Sequence, residues 1–129
     1  MMRKISLLIL LGLVLIVSGC KSNYNIAQTD PESDLFEINK GQTFEIKFVT
    51  NASTGYSWVW SNKKSVNVVD SVGNRFVNNA PAGVVGASVN RYWAFQGINK
   101  GLDTLQFEYC RLFQPNSTIK TRNVIVKVK

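Results

Sequence analysis

The sequence predicts an all-β protein, and three observations carry that prediction. Short segments alternate apolar and polar residues with a period of two, clusters of Gly, Asn and Pro separate them, and no helical periodicity interrupts them. In the most regular segment Phe44, Ile46 and Phe48 share a face opposite Thr43, Glu45 and Lys47. One-sided strands of this kind need a second apolar sheet to cover them. Seven to eight antiparallel strands within about 100 residues therefore predict an immunoglobulin-like β-sandwich, with an up-and-down barrel as the alternative architecture.

The elements follow in chain order. Arg3 and Lys4 precede an apolar stretch from Ile5 to Val17, too short to span a bilayer where about 20 apolar residues are needed. It reads as the hydrophobic region of a signal peptide. Val17-Ser18-Gly19-Cys20 closes the stretch and resembles a bacterial lipobox. That resemblance implies cleavage before Cys20, a diacylglycerol on its sulfur and an acylated amino terminus, which anchor a domain stably. Lys21 stands where aspartate is associated with inner-membrane retention, so an outer-membrane address, periplasmic or surface-exposed, is favoured. Residues 20–33 are polar, carry Pro31 and read as a flexible tether, leaving 1–19 as leader and 34–129 as the sandwich.

Within that domain the expected strands are Leu35 to Asn39, Gln42 to Thr50, Tyr56 to Ser61, Val66 to Val72, a short piece at Arg75 to Val77, Asn90 to Gly97, Thr104 to Cys110, and Ile119 to Val128. Leu105, Phe107 and Tyr109 share one face of the seventh, and Val124, Val126 and Val128 one face of the last. With Cys20 committed to lipid, Cys110 has no intrachain partner. The full chain carries 15 basic and 8 acidic residues, with the lysines scattered. That charge reads as solubility and weak attraction to acidic partners, and a secreted address argues against nucleic acid.

Catalytic chemistry has little to work with. The absence of histidine removes Ser-His and Cys-His nucleophile arrangements and histidine-based zinc sites, and one free cysteine cannot build a thiolate cage. Asp30, Glu32 and Asp34 are neighbours, but in a solvated tether nothing would tune them for acid/base work. The expectation is a binding protein with no metal, no cofactor and no enzymatic activity.

In a sandwich, successive loops fall alternately at the two ends. The loop after the second strand (BC, Asn51 to Gly55), the segment Asn78 to Val89 (DE) and the segment Arg111 to Ser117 (FG) therefore belong to one end. Asn51-Ala52-Ser53-Thr54-Gly55-Tyr56 resembles the NPTTGY/F loop of the chagasin-type inhibitors of papain-like cysteine peptidases, with Ala52 and Ser53 replacing proline and the first threonine. Val85-Gly86-Ala87-Ser88-Val89, with Trp93 and Phe95 beyond it, resembles that family's GxGG loop and aromatic strand. Tyr109-Cys110-Arg111-Leu112-Phe113 resembles its Y-x-R-P-W/F segment, Leu112 replacing the proline.

The resemblance implies a reversible inhibitor, expected as a monomer, of a papain-like peptidase belonging to the cell itself or to a host. The BC loop would enter the cleft while the DE and FG loops grip its walls. Asn51, Ala52, Ser53, Thr54, Gly55, Tyr56, Gly86, Ala87, Ser88, Trp93, Arg111 and Phe113 are the implied contact residues. Ala52 lacks the fixed φ of proline, which predicts a less preorganised BC tip. The alternative function is a surface lipoprotein whose sandwich binds a glycan or another envelope protein.

Overall fold

The computed structural model describes residues 27–78 and 80–129, so the leader and Cys20 lie outside the described residues. Seven strands follow in order: β1 (Leu35–Ile38), β2 (Thr43–Thr50), β3 (Tyr56–Trp60), β4 (Val69–Val77), β5 (Val89–Gly97), β6 (Gly101–Arg111) and β7 (Lys120–Val128). They form two sheets, β1-β7-β6-β3 and β2-β5-β4. The period-two alternation turns one face of each sheet inward. Phe36, Phe44, Ile46, Phe48, Phe95, Leu105, Phe107, Val124 and Val126 are all but fully buried between them. Phe48 meets Phe107 across the sheets at 4.8 Å between ring centroids, and Trp60 meets Phe95 edge-on at 5.2 Å. This is the expected sandwich.

Three local features differ from the expectation. The fragments expected at Val66 to Val72 and Arg75 to Val77 belong to a single strand, β4, because the register shifts between Ser71 and Gly73 and leaves Val72 without a partner. Such a bulge breaks the alternation in sequence without ending the strand. Secondly, β1 pairs parallel with β7, whereas every other pairing is antiparallel.

The third difference concerns the expected flexible tether, 20–33. From Ala27 onward it is docked along β2: Ala27 N donates to Thr43 O at 2.8 Å, and Lys47 N to Pro31 O at 2.7 Å. Arg122 of β7 locks the segment, donating to Asp34 Oδ1 at 2.7 Å, Ser33 O at 2.9 Å and Glu32 O at 3.1 Å, and also to Lys47 O. Its guanidinium lies 5.2 Å from the centroid of the Phe48 ring. The edge of β2 is thereby covered, which is how sheets blunt unpaired edges. Glu32 and Asp34 serve here as ion-pair partners of Lys47 and Arg122.

Candidate functional site

The topology brings the BC, DE and FG loops to one end. At the tip of BC, Ala52–Thr54 form one 3₁₀ turn, which Gly55 ends in the left-handed region at φ 77°. Glycine reaches that conformation without the penalty a Cβ brings. Asn51 caps the turn, its Oδ1 accepting from Ser53 N at 3.2 Å and from Ser53 Oγ at 2.6 Å. Thr54 Oγ1 donates back to Asn51 O at 2.7 Å. The rigidity that Ala52 cannot supply by a fixed φ comes here from hydrogen bonds centred on Asn51.

Asn51 also ties the tip to its neighbours. Its Nδ2 donates across to Gly86 O in the DE loop at 3.1 Å, and its backbone N donates to the Tyr109 hydroxyl on β6 at 3.3 Å. Gly86 has φ 81°, and a Cβ built there would stand 3.9 Å from Ser53 Oγ. Gly86 therefore sits where DE comes up against BC. Ala87 is half-buried and Ser88 exposed as the chain turns into β5.

On the other side, the FG loop is pinned at its base: Arg111 N donates to Ser117 Oγ at 2.8 Å, and that hydroxyl donates to Arg111 O at 3.1 Å. The Arg111 guanidinium stands 4.7 Å from the Tyr56 ring, within cation–π range, and Tyr56 in turn packs on Tyr109 at 5.4 Å. Gly55, Arg111, Leu112, Phe113 and Gln114 line a shallow groove between BC and FG. Phe113 is 99 % exposed above it. An aromatic ring held in water on a braced loop has nothing of its own chain to pack against.

Eleven of the twelve implied contact residues belong to these three loops or their bases; Trp93 does not. It lies within β5 opposite Ile46, packs against the core, and donates from Nε1 to Ser71 Oγ at 2.7 Å. Period two turns it to the same inner face as Phe95, which makes it a wall of the core. Above it Arg91 stacks at 4.0 Å and donates to Trp58 O at 3.0 Å; burial lowers its pKa, and no carboxylate among the described residues pairs with it.

Val84 and Val85 are two further residues of this end that stand outside the implied contact set, although Val85 opens the GxGG-like segment; Val85 is 95 % exposed. The available signal was apolar residues between Gly83 and Gly86, both at positive φ, where a loop cannot fold them into a core. The whole end thus offers backbone and small polar groups at the BC tip, with apolar side chains on both flanks. Among the described residues no three His, Cys, Asp or Glu side chains gather to hold a metal.

Comparison with known proteins agrees with this geometry. The model of the chagasin family peptidase inhibitors, I42, matches residues 37–128. No curated protein sequence shows significant similarity to the chain. Among solved structures, the cysteine protease inhibitor EhICP2 from Entamoeba histolytica superposes with a TM-score of 0.62 at 20 % identity, over 74 % of this chain and 86 % of that one. Amebosin superposes with a TM-score of 0.58 at 25 % identity, over 74 % of this chain and 88 % of its own. A family match over nearly the whole sandwich, on a fold that carries the three loop motifs in order at one end, places this chain in the chagasin family of peptidase inhibitors.

Proposed function

We propose that the protein is a reversible, tight-binding inhibitor of papain-family cysteine peptidases, and that its BC tip enters the active-site cleft with DE and FG against the cleft walls. The observation that carries this reading is the bracing of the tip: Asn51 bonds it to DE, and Tyr56 and Arg111 stack beneath it on the FG side. Loops held in place before association lose little freedom on binding, which favours affinity. A tip closed into a 3₁₀ turn and a left-handed glycine also differs from the extended chain a peptidase cuts, so the inhibitor survives the encounter.

Thr54 and Gly55 stand nearest the catalytic cysteine in this account, and Phe113 and Arg111 are the side chains of the kind that anchor interfaces. The membrane-tethered form belongs to the same proposal, with Cys20 carrying the lipid and the domain acting as an extracytoplasmic monomer. The test is a titration of residues 21–129 against papain at several substrate concentrations. Competitive inhibition that Thr54→Arg abolishes, with melting unchanged, is expected. Inhibition that increasing substrate does not relieve would contradict insertion in the cleft.

A further inference from the structure

Lysines that are scattered along the sequence are gathered by the topology at the end of the sandwich opposite the three loops. The β1–β2 turn, the β3–β4 connection, the β5–β6 turn and the end of β7 form that end. They are bonded into one surface: Lys40 N donates to Lys129 O at 3.0 Å, Gly41 N to Gly97 O at 2.8 Å, and Ile98 N to Val68 O at 2.8 Å. Lys40, Lys63, Lys64, Lys100, Lys127 and Lys129 all lie exposed there.

The carboxylates of this end are already engaged. Glu37 pairs with Lys129 at 3.3 Å and Asp70 with Lys63 at 3.9 Å, while Asp103 accepts from Asn67 N and Val68 N. Lys40, Lys64, Lys100 and Lys127 have no carboxylate partner among the described residues. Ile98 and Leu102 flank Lys100 and are 40 % and 67 % exposed. Lysines free of partners, beside apolar side chains that reach water, are the composition that settles on a charged lipid surface.

The path of the chain gives this end its partner. Ala27 is bonded to Thr43, the first residue of β2, so the described chain begins at the lysine end. Cys20 is seven residues earlier, within about 25 Å even if the chain were fully extended. We propose that the lysine end docks on an anionic phospholipid bilayer and so holds the three inhibitory loops facing away from it. The orientation rests on Cys20 carrying lipid; the docking surface does not.

Docking is tested with residues 21–129, which contain every core residue from Phe36 to Val128 and lack the lipid. The protein is sedimented with vesicles of phosphatidylcholine alone and of phosphatidylcholine mixed equally with phosphatidylglycerol. Binding to the mixed vesicles only, weakening with salt, is expected. Each lysine near such a surface is worth about fivefold in partitioning, so Lys64→Gln with Lys100→Gln should lose about 25-fold. Arg111→Gln with Lys120→Gln removes the same charge from the loop end and should change binding by less than about threefold on that scale.

Equal loss in the two double variants would overturn the proposal, because net charge and not this surface would then be the cause. Equal binding to neutral vesicles, or none to either, would overturn it as well. Melting curves confirm that the variants fold, and inhibition of papain by the Lys64/Lys100 variant reports separately on the loops.

Discussion

Replacing Asn51 with alanine removes three side-chain hydrogen bonds, to Ser53 N, Ser53 Oγ and Gly86 O. Loss of the cap on the 3₁₀ turn costs about 1 kcal/mol, by the measured range for helix N-caps. Loss of the bond across to DE costs about 0.5–1.5 kcal/mol. Neither contact involves the buried core, whose side chains come from the strands and from Val68. The sum, about 1.5–2.5 kcal/mol, therefore falls on the order of the tip. Association must then restore that order, which raises the inhibition constant about 10- to 70-fold. Tm should move by less than about 4 °C, because less than 1 kcal/mol reaches the global fold. Asn51→Asp keeps the acceptor and loses only the Nδ2 donor, so its loss is smaller, about 2- to 10-fold. The assay is the inhibition constant for papain alongside thermal melting of each variant. Wild-type inhibition by Asn51→Ala would refute the bracing argument, and so would a loss that tracks a fall in Tm of more than about 8 °C.

Other perturbations separate the binding end from the scaffold. Phe113→Ala removes a ring that touches little of its own domain, so stability should hold while affinity falls by about 2 kcal/mol or more, roughly 30-fold, as measured by the same titration. Arg122→Ala deletes the bonds to Asp34, Lys47, Glu32 and Ser33 and should cost about 2–3 kcal/mol by denaturant titration, with faster hydrogen exchange at the Lys47 amide. Arg122→Lys should recover only part of it, since an ammonium cannot reproduce the planar fork. The hydrogen bond that Lys47 Nζ donates to the Glu32 carboxylate raises the pKa of Lys47 above the ordinary 10.5. A raised pKa in the folded state contributes stability that is complete below the ordinary value and is lost as pH climbs past the raised one. Glu32→Gln should therefore lower Tm at neutral pH, and the difference from wild type should close in alkali, as melting curves across that range would show.

The parts of the fold that were legible in the sequence are those set by local alternation. Phe44, Ile46 and Phe48 gave β2 its inner face, and Leu105, Phe107 and Tyr109 did the same for β6. Knowing the strands in order was enough to send BC, DE and FG to one end. What alternation cannot report is a long-range partner. Arg122 fixes the 27–34 segment from almost ninety residues away, so a stretch without periodicity read as a free tether. The bulge at Val72 divided β4 for the opposite reason, since a local irregularity looked like a boundary. Trp93 follows the DE motif in sequence, while its neighbours in space are Phe48, Phe95 and Phe107, which no alternation pattern reports. The bracing role of Asn51 was illegible too, because Gly86 is brought beside it only by the pairing of β2 with β5.

A BC tip that covers the catalytic cysteine of the peptidase must slow the alkylation of that cysteine, and its rate can be measured directly. Papain saturated with residues 21–129 is treated with iodoacetamide, and the peptide carrying the nucleophilic cysteine is followed by mass spectrometry. Strong protection is expected with wild type and none with Thr54→Arg, with the inhibitor recovered uncut between Asn51 and Tyr56. Full inhibition with alkylation at the rate of free papain would contradict a covering tip, because the loops would then be acting somewhere other than the cleft.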